Sequence, residues 1–369
     1  VPERPQRKLR DAIGNRAIGL KGEWKIGRED KYFMANRNVS LRFQPGLWQA
    51  IRKVAPDVLV VDGFFKWSLV AFLYRIFTRT PIVVLYERTF HTERNAQWFR
   101  TAYRKLALRF TNAMSCNGRL SRDYAQWLGM PSDRITVGHM AADVDALKER
   151  VAGIDPQSIA ALRAKWGASA NSIVFLYVGR MIAQKGLKEF IQGWTLLNEL
   201  TAGNVQSRAL FVMVGGGMEE ENLRKQASDL GLTNVRFTGE LDYDKLAIYY
   251  ASSDVFVIPT LEDNWSLVVP EAMACGLPIL CSQFNGCWPE LVHQDINGWV
   301  FDPLDPRDIL KCIQACITTR ICELRRMGDR SKIIIEEHTP NKAAEAAFLA
   351  CRYAISNSNK RTRAISRNT

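Results

Sequence analysis

The chain has 369 residues, 47% of them hydrophobic and 24% charged, a balance that excludes disordered and fibrous classes and is usual for globular proteins. That length exceeds one ordinary domain and suits two. A formal charge of +12, with a pI near 9.4, favours polyanionic partners such as nucleoside diphosphates or anionic lipid head groups. No zinc-finger spacing or RNA-recognition signature supports nucleic acid as the partner.

Residues 1 to about 45 are polar, basic and weakly periodic, with a short helix expected around Gln6–Ile13. From Gln44 the pattern sharpens. A helix is predicted over Leu47–Val54, a buried strand over Asp57–Val61 ending at Gly63, and a helix over Trp67–Phe77. A strand over Pro81–Tyr86, a basic helix over Trp98–Phe110 and a strand over Asn112–Cys116 follow. A helix over Leu120–Leu128 stops at Gly129, and Asp133–Val137 reads as a strand. Strands that alternate with helices imply a parallel sheet with right-handed crossovers.

Asp155-Pro156 opens a connecting helix that runs to Gly167, since Asp caps and Pro suits the first helical turn. A second series has strands over Ile173–Val178, Leu210–Val214, Val235–Phe237, Val255–Ile258 and Ile279–Cys281. Its helices are predicted over Leu187–Leu200, Glu219–Leu230, Tyr243–Ala251, Ser266–Cys275 and Pro306–Met327. A last helix covers about Asn341–Tyr353, and 358–369 reads as a basic tail around Lys360, Arg361 and Arg363. The domains are therefore 1–154 and 155–340, with 341–357 returning to the first. Two such domains face each other across a cleft, where small ligands usually bind.

The eight cysteines include no Cys-x-x-Cys pair, so reduced thiols packed as small hydrophobes are expected, as in a cytoplasmic compartment. The longest apolar run, Trp67–Phe77, is cut by Arg75, too short to span a membrane. Arg94, Arg100, Arg104, Lys105 and Arg109 lie among Trp98, Phe99, Tyr103 and Leu106. A basic amphipathic helix of this kind can rest on an anionic membrane surface.

Two strings carry chemistry. In the first, strand Ile173–Val178 ends at Gly179, followed by Arg180 and Lys185. Both cations then lie at the carboxyl edge of the sheet, where open α/β sheets bind ligands. A guanidinium fork and an ammonium there can neutralise a diphosphate. In the second, Leu261–Pro278, an acidic loop leads from a strand into a helix, with Asp263 and Glu271 positioned to face one ligand. The first helical N–H groups, near Ser266, Leu267 and Val268, make a phosphate seat. Val214-Gly215-Gly216-Gly217 precedes Glu220 rather than a third spaced Gly, so it reads as a structural turn and not a dinucleotide fingerprint.

Asp263-x7-Glu271 followed by Ala272-Met273-Ala274-Cys275-Gly276-Leu277-Pro278 resembles the acidic signature of the family-4 retaining glycosyltransferases, which have the GT-B fold. Asp263 stands where the family usually has Glu, and Asn264-Trp265-Ser266 stands for its Gly-Phe-Gly. Gly179-Arg180-x4-Lys185-Gly186 resembles the family's donor-phosphate motif. The resemblance covers about 55–330.

It implies two facing Rossmann-like domains, the second one binding a nucleotide-sugar donor. It implies transfer of a sugar, with retention of configuration, to a glycan, a lipid-linked sugar or a small molecule, as in polysaccharide biosynthesis. By the same resemblance Arg180 and Lys185 bind the diphosphate and Glu271 the ribose. Asp263 and the segment Asn264 to Val268 then face the sugar, and Thr238, Gly239 and Leu241 cover the base. Glu87 stands where relatives often have a His, with His91 four residues on; either can reach the sugar or acceptor across the cleft. Of the relatives' Pro-Asn-Gly-Val-Asp turn only Asp143 survives in His139–Asp143.

No cofactor and no metal are expected, since no Asp-x-Asp pair ends a strand. A nucleotide-sugar epimerase of the same fold and an inactive nucleotide-sugar-binding scaffold are the alternatives. The chain starts at Val1, and no buried strand with a Gly-rich turn precedes residue 45. The first strand of the first sheet is therefore expected to be missing and that domain to be the less ordered half.

Overall fold

A computed structural model describes residues 20, 24–26, 41–64, 67–169, 171–200 and 208–365. The helix expected at Gln6–Ile13 lies outside these residues. Within the stretch read as featureless, β1 (Trp24–Ile26) pairs antiparallel with β2 (Leu41–Phe43), apart from the larger sheets.

The first domain holds α1 (Leu47–Val54), β3 (Leu59–Asp62), α2 (Ser68–Thr78), β4 (Ile82–Tyr86), α3 (Trp98–Leu108), β5 (Ala113–Cys116), α4 (Arg119–Leu128) and β6 (Ile135–Val137). The four strands are parallel in the order β3-β4-β5-β6. Side chains alternate across a strand, and β4 shows the result. Ile82, Val84 and Tyr86 join Phe72, Met114 and Tyr124 in one core, while Val83 faces the opposite side. That opposite side is covered from the far end of the chain. Ala350 and Ala354 of α14 (Pro340–Ile365) pack on Val83 and Ala113. This helix runs on to Ile365, so most of the segment expected as a free basic tail is helical instead.

Helices α5 (Asp145–Ala152) and α6 (Pro156–Trp166) link the domains. The Asp155 carboxylate accepts the Ser158 N–H, Pro156 opens the helix and Gly167 closes it at φ 83, the expected asymmetry of helix ends. The second domain comprises β7 (Ile173–Val178), α7 (Leu187–Leu200), β8 (Ala209–Val214), α8 (Glu220–Asp229), β9 (Val235–Phe237), α9 (Leu246–Ala251), β10 (Val255–Ile258), α10 (Val268–Ala274), β11 (Ile279–Ser282), α11 (Trp288–Leu291), β12 (Gly298–Phe301), α12 (Pro306–Thr318) and α13 (Ile321–Ile335). The single helix expected over Pro306–Met327 is thus two.

Its parallel strands run β12-β11-β10-β7-β8-β9. The order reverses between β7 and β10, the switch point where doubly wound sheets open a ligand crevice. Strands β7, β8, β10 and β11 are buried along their whole length, as expected for a sheet covered on both faces.

The basic segment of the first domain is not one surface. Arg104 is buried, with Nη1 2.7 Å from Glu93 Oε2. Arg94 reaches Glu262 of the second domain at 3.2 Å, and Lys105 lies over the Trp127 ring. Trp98 is 81% exposed. All eight cysteines are free thiols. Among the described residues no helix is long and apolar enough to cross a membrane.

Candidate active site

The loops after β7 and β10 meet at the switch point. Gly179 turns the chain at φ 153, and the Tyr177 hydroxyl donates to the Arg180 carbonyl at 2.8 Å. A 3-10 turn, Ala183–Lys185, ends at Gly186. Any Cβ at Gly186 would stand 2.0 Å from the Pro259 carbonyl oxygen, so only Gly lets this loop lie flat on the end of β10. The Thr260 hydroxyl and the Leu261 N–H both donate to the Gln184 carbonyl, each at 2.8 Å. On its other side the Met181 N–H donates to the Gly216 carbonyl at 2.8 Å. These main-chain bonds fix where Arg180 and Lys185 start from.

Asp263 is the hub of the acidic loop. Its Oδ2 accepts from Lys185 Nζ and from the Ser266 hydroxyl, both at 2.5 Å, and Oδ1 from the Trp265 N–H at 3.1 Å. Asn285 Nδ2 holds the Ser266 hydroxyl in turn at 2.9 Å. Glu271, in the first turn of α10, accepts from the hydroxyls of Tyr243 and Tyr250 at 3.3 and 3.0 Å. Burial raises its carboxyl pKa above the usual range, and the two hydroxyls act against that rise.

Beside Lys185 and Asp263 opens a cavity of about 840 Å³, and Glu271 is not among the residues that line it. Arg180, Lys185, Asp263 and Asn264 line it, together with Gln184 and Glu262. Gly216, Gly217, Glu219 and Glu240 line it from the ends of β8 and β9, and Arg88 and Thr92 from the first domain. Arg88, Thr92, Glu219, Glu240 and Glu262 were not singled out from sequence. The signal available for Glu219 and Glu240 was position, since each follows a strand at the carboxyl edge.

Other expected site residues lie off the cavity. Trp265 is 7% exposed and packs at the seam beside Gly118 of the first domain. The Thr238 hydroxyl donates to the Met213 carbonyl at 3.3 Å, and the Gly239 carbonyl accepts the Gly215 N–H at 2.9 Å. Leu241 packs against the core. Helix α10 begins at Val268, later than read, so Ser266 and Leu267 precede its first turn.

His91, expected to reach the sugar or acceptor, makes contacts at the seam between the domains. Its Nε2 lies 2.7 Å from the Leu261 carbonyl, and its ring stacks on Phe284 at 3.9 Å. Burial lowers its pKa below the ordinary histidine value. Glu87 is not among the lining residues, and its pKa is raised first by burial and then by Asp62, while Arg88 opposes the rise. The seam is completed by Asn117 Nδ2, which donates to the Asn264 carbonyl at 3.0 Å, and by the Arg119 N–H, which donates to Glu290 Oε1. Asn264 Oδ1, Trp265 Nε1 and Glu290 Oε2 are buried there without a partner among the described residues.

The cavity thus joins three cations, Arg88, Arg180 and Lys185, to carboxylates on Glu219, Glu240, Glu262 and Asp263. Cations suit phosphate oxygens and carboxylates accept hydroxyl protons. Among the described residues no cluster of three or more His, Cys, Asp or Glu is arranged to hold a metal ion.

Two Rossmann-like domains over such a cleft define the GT-B class. The family model for glycosyl transferases group 1 matches residues 158–333, and that for glycosyltransferase family 4 matches residues 21–146. The chain belongs to these group 1, family-4-like glycosyltransferases.

D-inositol 3-phosphate glycosyltransferase of Mycolicibacterium vanbaalenii is 31% identical over 181 residues, 47% of this chain and 38% of that protein. Sulfoquinovosyl transferase SQD2 of Arabidopsis thaliana is 33% identical over 138 residues, 37% of this chain and 24% of that protein. The matched stretch therefore spans less than half of either relative. The crystal structure of Anabaena HepE in complex with UDP and glucose superposes with a TM-score of 0.64 at 20% identity, covering 82% of this chain and 80% of that one. Sucrose-phosphate synthase from Thermosynechococcus elongatus gives 0.61 at 18% identity, covering 87% and 76%. At these identities the likeness is one of fold.

Proposed function

We propose that this protein transfers a hexose from a nucleotide sugar to a hydroxyl of a glycan, a lipid-linked sugar or a small molecule, with retention of configuration. The observation that carries the reading is the pairing of Arg180 and Lys185 at the end of β7 with Asp263 at the end of β10, across one switch point and in one cavity. HepE, of the same fold, binds UDP and glucose, which supports a nucleotide-sugar donor.

In this reading the bond from the anomeric carbon to the phosphate oxygen breaks, the acceptor oxygen takes its place, and the acceptor's hydroxyl proton passes to the departing diphosphate. Negative charge grows on the leaving diphosphate, where Arg180 and Lys185 meet it. Preorganised charge of this kind is usually the largest catalytic contribution. Asp263 holds Lys185 in advance of the reaction and, through Trp265 and Ser266, fixes its own loop. Glu219 and Glu240 offer acceptors for donor hydroxyls. The reading needs no bound metal, because the compensating charge is supplied by side chains.

A thermal-shift panel of nucleotide sugars on the purified chain identifies the donor, and NMR of the product gives the anomeric configuration. Inverted product would refute retention. Isomerised donor in the absence of acceptor would refute transfer in favour of epimerisation. Donor binding without turnover across an acceptor panel would favour a binding protein.

A further inference from the structure

A second cavity, of about 510 Å³, lies on the opposite edge of the first sheet from the cleft. Asn112, which precedes β5, and Arg134, which precedes β6, both line it. It is thus separated from the carboxyl ends of those strands by about 13 Å, the rise of four strand residues. Arg75, Lys105, Arg109 and Arg134 line it together, and among the described residues no acidic one does.

Arg75 Nη1 donates to the Thr80 carbonyl at 3.0 Å. Lys105 sits 4.8 Å from the Trp127 ring centroid. Arg134 Nε is buried with no hydrogen-bond partner among the described residues. The nearby carboxylate of Asp133 accepts the Tyr353 hydroxyl at 3.0 Å.

Helices α2, α3 and α4 all end near this edge. Their carbonyl ends carry about half a negative charge each, roughly −1.5 in all. With Asp133 added and Arg75 set aside, Lys105, Arg109 and Arg134 still leave an excess of roughly +0.5 on that scale. The cations therefore exceed what the helix ends alone balance.

We propose that this cavity is a second, non-catalytic binding site for a phosphate monoester or diphosphate group carried on a larger body. Its volume falls within the range of small-molecule sites, roughly 300–1,000 Å³, and exceeds what inorganic phosphate fills. Leu108, Leu128 and Met130 supply an apolar wall for that body. Arg109 and Lys105 are exposed and admit the anion from solvent, whereas Arg134 waits at the inner wall.

Hydrogen exchange read segment by segment tests this on the full chain, with inorganic pyrophosphate as the probe. The segment readout separates this site from any binding at residues 179–186. Protection is expected over 105–112 and 128–136. It is expected to need about tenfold more pyrophosphate in Arg109→Gln, one charged hydrogen-bonding partner fewer, and to vanish in Arg109→Gln combined with Arg134→Gln. Unchanged exchange in Ile82–Tyr86 shows that the variants fold. If Arg134→Gln fails this check, the Arg109→Gln shift decides alone.

A parallel arm uses vesicles of phosphatidylcholine with and without phosphatidic acid. Sedimentation that requires both phosphatidic acid and Arg109 assigns the ligand to a lipid head group. Pyrophosphate protection without such sedimentation assigns it to a soluble phosphorylated molecule. Absence of protection over both segments, or protection indifferent to Arg109→Gln, overturns the proposal.

Discussion

Replacing Lys185 by Ala separates its two tasks, because the structure gives each a different size. The Lys185–Asp263 pair is 2.5 Å long, with side chains 18% and 16% exposed. Breaking a fully buried pair costs about 3–5 kcal/mol. Here Asp263 keeps the Ser266 hydroxyl and the Trp265 N–H and some solvent, so about 1–2 kcal/mol is expected. For domains of this size that lowers the melting temperature by roughly 2–8 °C. The catalytic loss is larger. One missing transition-state donor costs about 10²–10³ in turnover, or about 2.7–4 kcal/mol. Initial rates at saturating donor, with scanning calorimetry on the same samples, read both quantities. Turnover near wild type at saturating donor would refute the diphosphate role. Loss of the folding transition would show instead that Lys185 holds the loop together.

Three further outcomes are expected. Transfer persists in excess EDTA; complete loss restored by Mn²⁺ or Mg²⁺ would show that the charge compensation lies elsewhere. Gly118→Ala places a Cβ 2.6 Å from the Trp265 ring and 3.2 Å from Glu290 Oε2. Overpacking there costs about 1–3 kcal/mol and loosens the seam, seen as faster exchange at Arg119; unchanged melting and exchange would mean the seam yields freely. His91 has a lowered pKa, so between that value and 6.5 the unfolded chain binds the extra proton. The stability advantage of wild type over His91→Asn is therefore full above pH 6.5 and shrinks on acidification below it. An advantage that grows as pH falls contradicts the assignment.

How much could be read in advance follows from the range of the forces involved. Strands Ile173–Val178, Val235–Phe237 and Val255–Ile258 were legible because each is an apolar run closed by turn residues. The break between α12 and α13 was not, since no Gly or Pro marks it. It is made by threonines whose hydroxyls turn back, Thr318 to the Gln314 carbonyl at 2.8 Å and Thr319 to the Ala315 carbonyl at 2.7 Å, a local competition with the helix. The short strand Gly298–Phe301 was missed because its pairing with β11 is non-local.

In the site, Arg180, Lys185 and Asp263 could be placed because each lies just past a strand end. Glu219 and Glu240 also follow strands, but that the ends of β8 and β9 open onto the same cavity as β7 and β10 depends on the sheet order, which is non-local. The same holds for His91, whose partners Leu261 and Phe284 belong to the other domain.

Helix α14 gives the molecule a temporal asymmetry. Val83 and Ala113 are fully covered only when Ala350 and Ala354 arrive. During synthesis roughly 200 residues separate the last strand of the first sheet from that cover, about 10–40 s of elongation at typical rates. The second domain, whose strands and helices are contiguous in sequence from Ile173 to Ile335, can close within that interval. The first sheet spends it with one apolar face bare, the stage at which a nascent chain most needs a chaperone. Damage to helix α14 would then show first as a failure of the first domain.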